Sequence, residues 1–415
     1  MKRQTGRFVE NLLDSALNRS KLSSPDRNLC QELVYGVVRW QATLDWLIDR
    51  KAKNPRPKQF LRDLLRLGLY QIFWLDRIPN HAAVNETVAS AGRHGFKSQS
   101  GFINAVLRNY LREFDVTKKT LADLKMTSPA LGFSHPEWIV QRWEGSWGRD
   151  KTISLLEWNN TPPKTFARIN LLKAEPGKLL AQWRDEGVEY DFVRRDWFPE
   201  NLVFQLKSHP PLPQLPSFKQ GLFYVQDPST LLAVHALDPK PGEGILDLCA
   251  APGGKLTYIA QQVRNEARIV AHDTVPDRLK LIEENCSRLG AGGVISSSPL
   301  TLNHVSTNFD RVLLDAPCSN TGVLRRRIDL RWRITTDEIK RLQQTQLELL
   351  AQAAVLLKPG GTLIYSTCSL EPEENEQLIT RFLESNASFQ LQSSRELLPF
   401  RDAVDGAFVA TLVRR

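Results

Sequence analysis

The sequence predicts an α/β domain with a mostly parallel, doubly wound sheet over residues 221–415, preceded by an all-α bundle over residues 1–128 and a small α+β region over residues 129–220. Three observations predict this order. Apolar residues recur at helical spacing in the first region, short β-rich pieces mix with a helical stretch in the second, which holds six of the ten tryptophans, and strands alternate with helices in the third. At about 150 residues per domain, the chain has room for all three.

Helical spacing is clearest in three runs of the first region, and strand-like alternation is nearly absent there. Pro55, Pro57 and Pro79 fall between the runs, where a residue without a backbone N–H interrupts a helix. We therefore expect an independent helical bundle. The apolar positions that carry this prediction are Leu33, Val34, Val37 and Val38, then Leu61, Leu64, Leu65 and Leu69, then Phe102, Ile103, Val106 and Leu107.

The second region mixes strands predicted at residues 164–169 and 202–206 with a helix predicted at residues 176–186. Basic and aromatic residues are interleaved in the segments RW at 142–143 and RRDW at 194–197. Stacking combined with positive charge suits single-stranded RNA. A core position for most of these tryptophans is the alternative that we favour. The run HPPLPQLP at residues 209–216 predicts a semi-rigid linker.

The third region alternates predicted strands with predicted helices, which is typical of a mostly parallel sheet with helices on both faces. Ligands of such sheets bind beyond the carboxyl ends of the strands. Unusual side chains at those ends are therefore candidates for ligand binding. The predicted strands are residues 244–248, 268–271, 309–314 and 361–366, and the predicted helices are residues 255–263, 276–289 and 337–357.

Composition narrows the class of protein. The chain has 415 residues, of which 41% are hydrophobic, and its formal net charge of +9 suits a polyanionic partner such as nucleic acid. Its five cysteines are scattered without a C-x-x-C pair, which argues against a disulfide framework and a zinc site, so we expect no metal. No apolar run reaches the roughly 18 residues of a membrane span. The N-terminus lacks a secretory signal, and we expect a cytoplasmic protein.

The first two strands of the third region end in residues suited to a nucleotide-like ligand. The segment DLCAAPGGK at 247–255 brings Gly253 and Gly254 to the start of a helix, where backbone N–H groups are free to bind a ligand. The dinucleotide pattern G-x-G-x-x-G is absent, which disfavours nicotinamide and flavin cofactors. Asp273 follows the second strand and is placed to accept hydrogen bonds from ribose hydroxyls, and Arg278 is a candidate to support the same ligand.

The next two strands end in thiols. Asp315 and Cys318 follow the third strand and Cys368 follows the fourth, so the two sulfur atoms should emerge at one edge of the sheet. A ribose site, a thiolate and a carboxylate together suit methylation of carbon-5 of a pyrimidine, because thiolate addition to carbon-6 makes carbon-5 nucleophilic. The methyl donor would be S-adenosylmethionine. This chemistry alone does not decide which of the two cysteines attacks.

These motifs resemble the RNA 5-methylcytosine methyltransferases, in particular the bacterial 16S ribosomal RNA type (Sun/Fmu). The resemblance rests on DLCAAPGGK at 247–255, LDAPCS at 314–319, and STCS at 366–369 followed by PEEN at 372–375. The N-terminal region resembles the NusB antitermination factor in ELVYGVVR at 32–39, GLYQ at 68–71, RIP at 77–79 and INAVLR at 103–108. HPEW at 135–138 and RIN at 168–170 are similar to the family's RNA-binding extension, and YVQDP at 224–228 to the motif that opens its catalytic domain.

The resemblance implies a Rossmann-like methyltransferase domain and a role for each motif residue. Cys368 would be the nucleophile, Cys318 the second cysteine that assists product release, and Asp315 a residue that faces both cofactor and target base. S-adenosylmethionine would be held by Cys249, Ala250, Ala251, Pro252, Gly253, Gly254, Lys255, Asp273 and Asp315. The segment from residue 325 to 333 would bind RNA phosphates, through Arg325, Arg326, Arg327 and Arg331.

One departure keeps alternatives open. The family has a Gly-Asp pair after the next strand, whereas this chain reads VISSSP at 294–299, so a serine such as Ser298 would replace an adenine-side carboxylate. We expect an enzyme that methylates a cytosine in 16S ribosomal RNA, free or in early assembly intermediates, and acts as a monomer. The alternatives are a transfer RNA cytosine-5 methyltransferase and a catalytically weakened, RNA-binding ribosome assembly factor.

Overall fold

A computed structural model describes residues 8–52, 57–297 and 309–415. The chain packs into two units: Met1–Pro162 together with Leu324–Arg333, and Pro163–Val323 together with Ile334–Arg415. Packing groups residues 129–162 with the helical region, and the domain boundaries near residues 128 and 220 stay predictions. It also transfers a ten-residue segment of the predicted α/β region, Leu324–Arg333, to the helical unit.

The first unit is helical, as predicted. Ser23 accepts a hydrogen bond from the backbone N–H of Asp26 and so caps the second helix. The core of the bundle is formed by apolar residues of α3 to α6. The helices are α1 (Val9–Asn18), α2 (Ser24–Arg39), α3 (Gln41–Lys51), α4 (Gln59–Trp74), α5 (Asn80–Arg93), α6 (Ser100–Arg112), α7 (Phe114–Thr127), α8 (Pro129–Gly132), α9 (Glu137–Trp147) and α10 (Arg149–Asn160).

Residues 129–162 belong to this unit because polar contacts fix them to the bundle. The Thr43 hydroxyl donates to the Leu131 carbonyl at 2.6 Å. The Ser134 hydroxyl accepts from the backbone N–H of Ala42 at 3.0 Å. These bonds start from the first turn of α3, whose N–H groups have no partner within the helix.

The second unit begins with a four-stranded antiparallel sheet in the order β2-β3-β1-β4. Trp183 and Trp197 are buried in its core and Trp143 is buried in the helical unit, whereas Trp138, Trp147 and Trp158 are half-buried, so a core position holds for three of the six tryptophans. The elements are β1 (Thr165–Ile169), α11 (Pro176–Asp185), β2 (Glu189–Arg195), β3 (Phe198–Ser208), α12 (Pro216–Lys219) and β4 (Phe223–Val225).

A seven-stranded sheet forms the rest of the second unit, in the order β10-β11-β9-β8-β5-β6-β7. The five neighbouring strands β9, β8, β5, β6 and β7 are parallel to one another, and β11 and β10 add antiparallel pairs at one edge. The prediction of a mostly parallel sheet is thus confirmed. The elements are α13 (Leu231–Leu237), β5 (Gly244–Asp247), α14 (Gly254–Gln262), β6 (Arg268–His272), α15 (Pro276–Leu289), β7 (Val294–Ser297), β8 (Phe309–Asp315), α16 (Thr336–Leu356), β9 (Leu357–Thr367), α17 (Glu376–Ser385), β10 (Phe389–Leu397), α18 (Pro399–Asp402) and β11 (Ala407–Arg414).

Helices cover both faces of this sheet. Apolar residues of α13, α14 and α15 pack on one face, and those of α16 and α17 on the other. Two buried faces explain why the central strands read as continuous apolar runs. None of the helices among the described residues is long and apolar enough to cross a membrane.

Candidate active site

The loop between β5 and α14 brings the backbone close to where a ligand would bind. Gly253 has φ of 99°, a left-handed conformation that favours glycine, and α14 begins at the next residue. A Cβ at Gly254 would lie 2.9 Å from the Tyr224 ring, so a side chain does not fit there. The loop is held by a hydrogen bond from the Ala250 N–H to the His272 carbonyl at 2.9 Å. Residues 250–254 thus form a fixed turn at the carboxyl end of β5.

Asp273 lies at the neighbouring end of β6 and is buried. Its Oδ1 accepts from the Val275 N–H at 3.1 Å, while its Oδ2 has no hydrogen-bond partner within the described residues. The Arg278 guanidinium lies 3.3 Å from that Oδ2 and donates to the Ala251 carbonyl at 2.9 Å. Arg278 therefore links the Asp273 carboxylate to the glycine-bearing loop.

Asp247 is a second buried carboxyl group with an oxygen that lacks a hydrogen-bond partner in the described part of the chain. Burial, followed by the negative charge of Asp315, raises its pKa to about 7. An unsatisfied buried oxygen is costly unless a ligand supplies a donor. The oxygens of Asp247 and Asp273 and the N–H groups at the start of α14 fit the hydroxyl, ammonium and carboxylate groups of S-adenosylmethionine.

Lys255 and Asp315 form an ion pair at this edge of the sheet. Lys255 Nζ lies 2.6 Å from Asp315 Oδ2, and the Ser366 hydroxyl donates to Asp315 Oδ1 at 2.7 Å. Burial opposes the charge on Lys255, but the carboxylate outweighs it and raises the lysine pKa above its ordinary value. Lys255 is therefore a cation, and Asp315 is held in one orientation by two side chains from α14 and β9.

The two cysteines at the ends of β8 and β9 meet. Cys318 Sγ and Cys368 Sγ are 3.3 Å apart, which confirms that neighbouring strands bring the thiols to one edge. The hydrogen bond with Cys368, burial and the Cys368 and Glu374 charges raise the pKa of Cys318 well above its ordinary value. Cys318 is buried and Cys368 is half-buried. The more accessible sulfur is thus the one expected to be the nucleophile.

A buried polar cluster fixes the backbone around both thiols. Glu374 Oε1 accepts from the Ser319 N–H at 2.9 Å and from Gln346 Nε2 at 2.8 Å. Glu374 Oε2 accepts from the Ser369 hydroxyl at 2.5 Å, and the Ser369 and Ser319 hydroxyls are 2.9 Å apart. One carboxylate therefore ties the residue after Cys318 to the residue after Cys368.

The remaining cysteines near the sheet do not share this environment. Burial, followed by the charge of Asp247, raises the pKa of Cys249 far above its ordinary value. Burial raises the pKa of Cys286 to about 11. Both therefore remain thiols at neutral pH, and the position of Cys249 in the loop after β5 is consistent with lining a ligand site rather than attacking one.

The predicted RNA-binding arginines are split by the structure. Arg325 and Arg331 are buried, with 1% and 0% of their surface exposed. Arg331 donates to Asn160 Oδ1 at 2.8 Å and to the Asn159 carbonyl at 3.0 Å, and Arg325 lies 3.9 Å from the centre of the Trp158 ring. These two arginines are interior residues of the helical unit, which corrects our expectation that they reach RNA phosphates.

Arg327 is exposed and Arg326 is half-buried, so phosphate binding by these two stays a prediction.

Sequence reasoning missed Gln346 on α16 and Asn320, although Asn320 lies only two residues after Cys318. Ser298, in the segment that lacks the family's carboxylate, lies outside the described residues. No cluster of three or more metal-ligating side chains occurs within residues 8–52, 57–297 and 309–415.

Family models match three parts of the chain. Residues 2–112 match the NusB family, residues 135–206 match a ferredoxin-like domain of RsmF/B-like methyltransferases, and residues 234–413 match the family described as 16S rRNA methyltransferase RsmB/F. These matches follow the order of the helical region, the four-stranded sheet and the seven-stranded sheet.

Curated relatives match nearly the whole chain. A probable ribosomal RNA small subunit methyltransferase B from Synechocystis sp. is 38% identical, covering 98% of this chain and 95% of the relative. The probable enzyme of the same name from Bacillus subtilis is 34% identical, with 97% and 94% covered. The ribosomal RNA small subunit methyltransferase B of Klebsiella pneumoniae is 35% identical, with 99% and 95% covered.

Among solved structures, a methyltransferase homologue from Pyrococcus horikoshii is 34% identical and superposes with a TM-score of 0.60, covering 69% of this chain and 97% of its own. Fold, thiol geometry and near full-length similarity agree. The chain belongs to the RsmB/F family of 16S rRNA methyltransferases, enzymes that depend on S-adenosylmethionine.

Proposed function

We propose that this protein methylates carbon-5 of a cytosine in 16S ribosomal RNA and that Cys368 forms a transient covalent bond to the base. The observation that carries the proposal is the pair of thiols, with Sγ atoms 3.3 Å apart, at the ends of adjacent parallel strands. The Lys255–Asp315 ion pair lies at the end of the same strand β8. Nucleophile, acidic group and ligand-binding turn thus share one sheet edge.

The reaction splits into an addition and an elimination. The Cys368 thiolate forms an S–C bond to carbon-6, and the electron pair of the 5,6 double bond moves into the ring, which makes carbon-5 nucleophilic. After carbon-5 has gained a methyl group, a base takes the carbon-5 proton, the electron pair of that C–H bond re-forms the 5,6 double bond, and the S–C bond breaks with its electron pair returning to the Cys368 sulfur. Cys318 is assigned to this release step, because its sulfur is within contact distance of Cys368.

S-adenosylmethionine, when bound, supplies an electrophilic methyl group. The turn at residues 250–254 and the Asp273 carboxylate are assigned to holding it. Asp315, fixed by Lys255 and Ser366, is assigned to hydrogen bonding at ring N3 and the exocyclic amine, where charge develops during the addition. Because carbon-6 must be attacked from the ring face, the target cytosine is expected to leave any base stack.

The test compares two single variants on 16S ribosomal RNA with labelled S-adenosylmethionine. Cys368→Ala should abolish methyl transfer and form no adduct. Cys318→Ala should accumulate a protein–RNA adduct that survives denaturing electrophoresis, because release is impaired while addition remains. Cys286→Ala is the matched control, since that half-buried thiol lies on α15. Normal product release by Cys318→Ala would refute the assigned roles.

The RNA is identified by bisulfite sequencing of RNA from a strain that lacks the protein. Loss of a 5-methylcytosine from 16S ribosomal RNA supports the proposed substrate. Loss of a 5-methylcytosine from a transfer RNA instead would support the same cytosine-5 methylation but show that transfer RNA is the substrate. A complete set of 5-methylcytosines in both RNAs would overturn the proposed activity.

A further inference from the structure

Asn320 touches both thiol residues, and neither the sequence motifs nor the family match gives it a role. It lies in the loop after β8 with φ of 58°, a left-handed conformation that is uncommon for a residue with a side chain. Its Nδ2 donates to the Cys318 carbonyl at 2.6 Å. Its Oδ1 lies 3.1 Å from Cys368 Sγ.

The orientation of this amide is fixed by its neighbours. If the Asn320 amide were turned over, its oxygen would face the Cys318 carbonyl oxygen at 2.6 Å, and two acceptors repel at that distance. The nitrogen must therefore face the carbonyl, and the oxygen must face Cys368 Sγ. An amide oxygen is an acceptor, so Cys368 Sγ is the donor in this hydrogen bond.

The backbone holds this arrangement in place. The Gly322 N–H donates to the Cys368 carbonyl at 2.9 Å, and the Gly406 N–H donates to the Gly322 carbonyl at 2.9 Å. A Cβ at Gly322 would lie 2.7 Å from the Cys368 carbonyl oxygen, so the two loops touch through backbone. These contacts hold the loop two residues after Asn320 against the backbone of Cys368.

We propose that Asn320 is a positioning residue that keeps Cys368 as a thiol in the resting protein and thereby limits its nucleophilicity. This proposal rests on the proposed function, in which Cys368 attacks carbon-6. Deprotonation breaks the S–H bond, leaves the electron pair on sulfur and passes the proton to water. The resulting thiolate faces the lone pairs of Asn320 Oδ1, so it forms less readily than it would without that oxygen.

Other charged and titratable groups act on the same thiols. Lys255 of α14 interacts electrostatically with Cys368, and Asp315 of β8 pairs with Lys255. Cys318 lies against Cys368, and Glu374 acts on Cys318. All of them are retained when Asn320 alone is replaced, so a change in the titration of Cys368 can be assigned to the amide.

The experiment measures alkylation of Cys368 by iodoacetamide as a function of pH in the full-length protein without RNA or cofactor, with mass spectrometry of the Cys368 peptide. Asn320→Gly suits the left-handed backbone and removes the amide. We expect the midpoint of the rate profile to fall and the rate at pH 7 to rise about two- to tenfold, the range for one neutral hydrogen bond. If the substitution only made Cys368 more accessible, the alkylation rate would rise at every pH and the midpoint of the profile would stay unchanged.

Asn201→Gly is the matched control, because Asn201 is exposed and has a similar φ of 61°. Asn320→Asp places a carboxylate beside the sulfur and should raise the midpoint. An unchanged midpoint in Asn320→Gly, or the same shift in Asn201→Gly, would overturn the proposal. The alkylation experiment does not measure methyl transfer. Its result can therefore contradict the role of Asn320 without contradicting the proposed function, which the Cys368→Ala assay tests.

Discussion

The sheet edge and the segment Leu324–Arg333 differ in how their buried charged groups are bonded. At the sheet edge, Asp247 and Asp273 each keep a carboxylate oxygen without a hydrogen-bond partner among the described residues. In the segment Leu324–Arg333, the terminal nitrogens of Arg331 donate to acceptors around them, while Arg331 Nε and Asp329 Oδ1 have no hydrogen-bond partner among the described residues. The two carboxylates lie at strand ends, where a ligand can supply the missing donor, whereas the terminal nitrogens of Arg331 are bonded by the protein itself and make a structural contact.

The acceptors around Arg331 explain why a charge is buried there. Asn159 and Asn160 end α10, and Arg39, whose carbonyl lies 3.5 Å from Arg331 Nη1, ends α2. The last carbonyls of a helix lack partners and carry partial negative charge. Trp332 adds a donor to the Val38 carbonyl at 2.8 Å. The arginine segment thus completes two helix ends.

The largest effect is expected at the sheet edge. Asp315→Asn removes the ion pair with Lys255 and should lower kcat for methyl transfer by about 10²–10³, the range for losing one preorganised group that stabilises developing charge. Methyl transfer under saturating RNA measures this. Ser366→Ala removes one hydroxyl hydrogen bond to the Asp315 carboxylate but leaves the Lys255 ion pair, so it should lower kcat by less, about tenfold. Equal losses in both variants would contradict a direct role for Asp315.

The comparison of the sheet edge with the segment Leu324–Arg333 predicts that Arg331 contributes to folding stability. Arg331→Met removes the arginine donors of four carbonyl or amide oxygens and should lower the free energy of unfolding by about 3 kcal/mol. Denaturant unfolding followed by far-UV circular dichroism measures this.

Arg327→Met is the control from the same segment. Its side chain is exposed, so stability should change by no more than about 0.5 kcal/mol. RNA affinity should fall and the slope of its salt dependence should decrease by about 1, as expected for one lost phosphate contact. If Arg331→Met left the free energy of unfolding unchanged but weakened RNA binding, Arg331 would be an RNA-binding residue, which would contradict its assigned role in stability.

A smaller effect concerns the pH dependence of stability. Because the folded pKa of Asp247 is about 7, above its ordinary value, the folded protein holds a proton that the unfolded chain has released between about pH 4 and pH 7. Its contribution to stability therefore falls as pH rises through this window. Asp247→Asn should raise the thermal midpoint by a few degrees at pH 8.5, and the gain should shrink towards pH 4.

Asp310→Asn is a control of opposite sign. Its hydrogen bond with Lys358, at 2.7 Å, lowers the pKa of Asp310, so its stabilising contribution is present above its ordinary pKa and is lost as pH falls. This variant should lower the thermal midpoint at pH 7 and approach the parent protein in acid. A pH-independent difference for Asp247→Asn would contradict the assignment of its raised pKa.

The sequence by itself determined the strands β5, β6, β8 and β9, the helices α14, α15 and α16 between them, and the thiol pair, because these depend on local periodicity and on the rule that parallel strands end at one edge. The helix at residues 276–289 and the meeting of Cys318 with Cys368 followed from that pattern. Motif similarity then assigned the order of the cysteines, which chemistry alone left open.

Only the tertiary structure decided which polar side chains are buried and what they contact. Five arginines within nine residues read as one basic surface, yet Arg331 and Arg325 are interior while Arg327 is exposed. Asn320 is unremarkable in sequence but bridges two sulfur-bearing residues. The physical reason is that their acceptors come from distant parts of the chain: 48 residues separate Asn320 from Cys368, and 172 separate Arg331 from Asn159. No local pattern encodes such pairings.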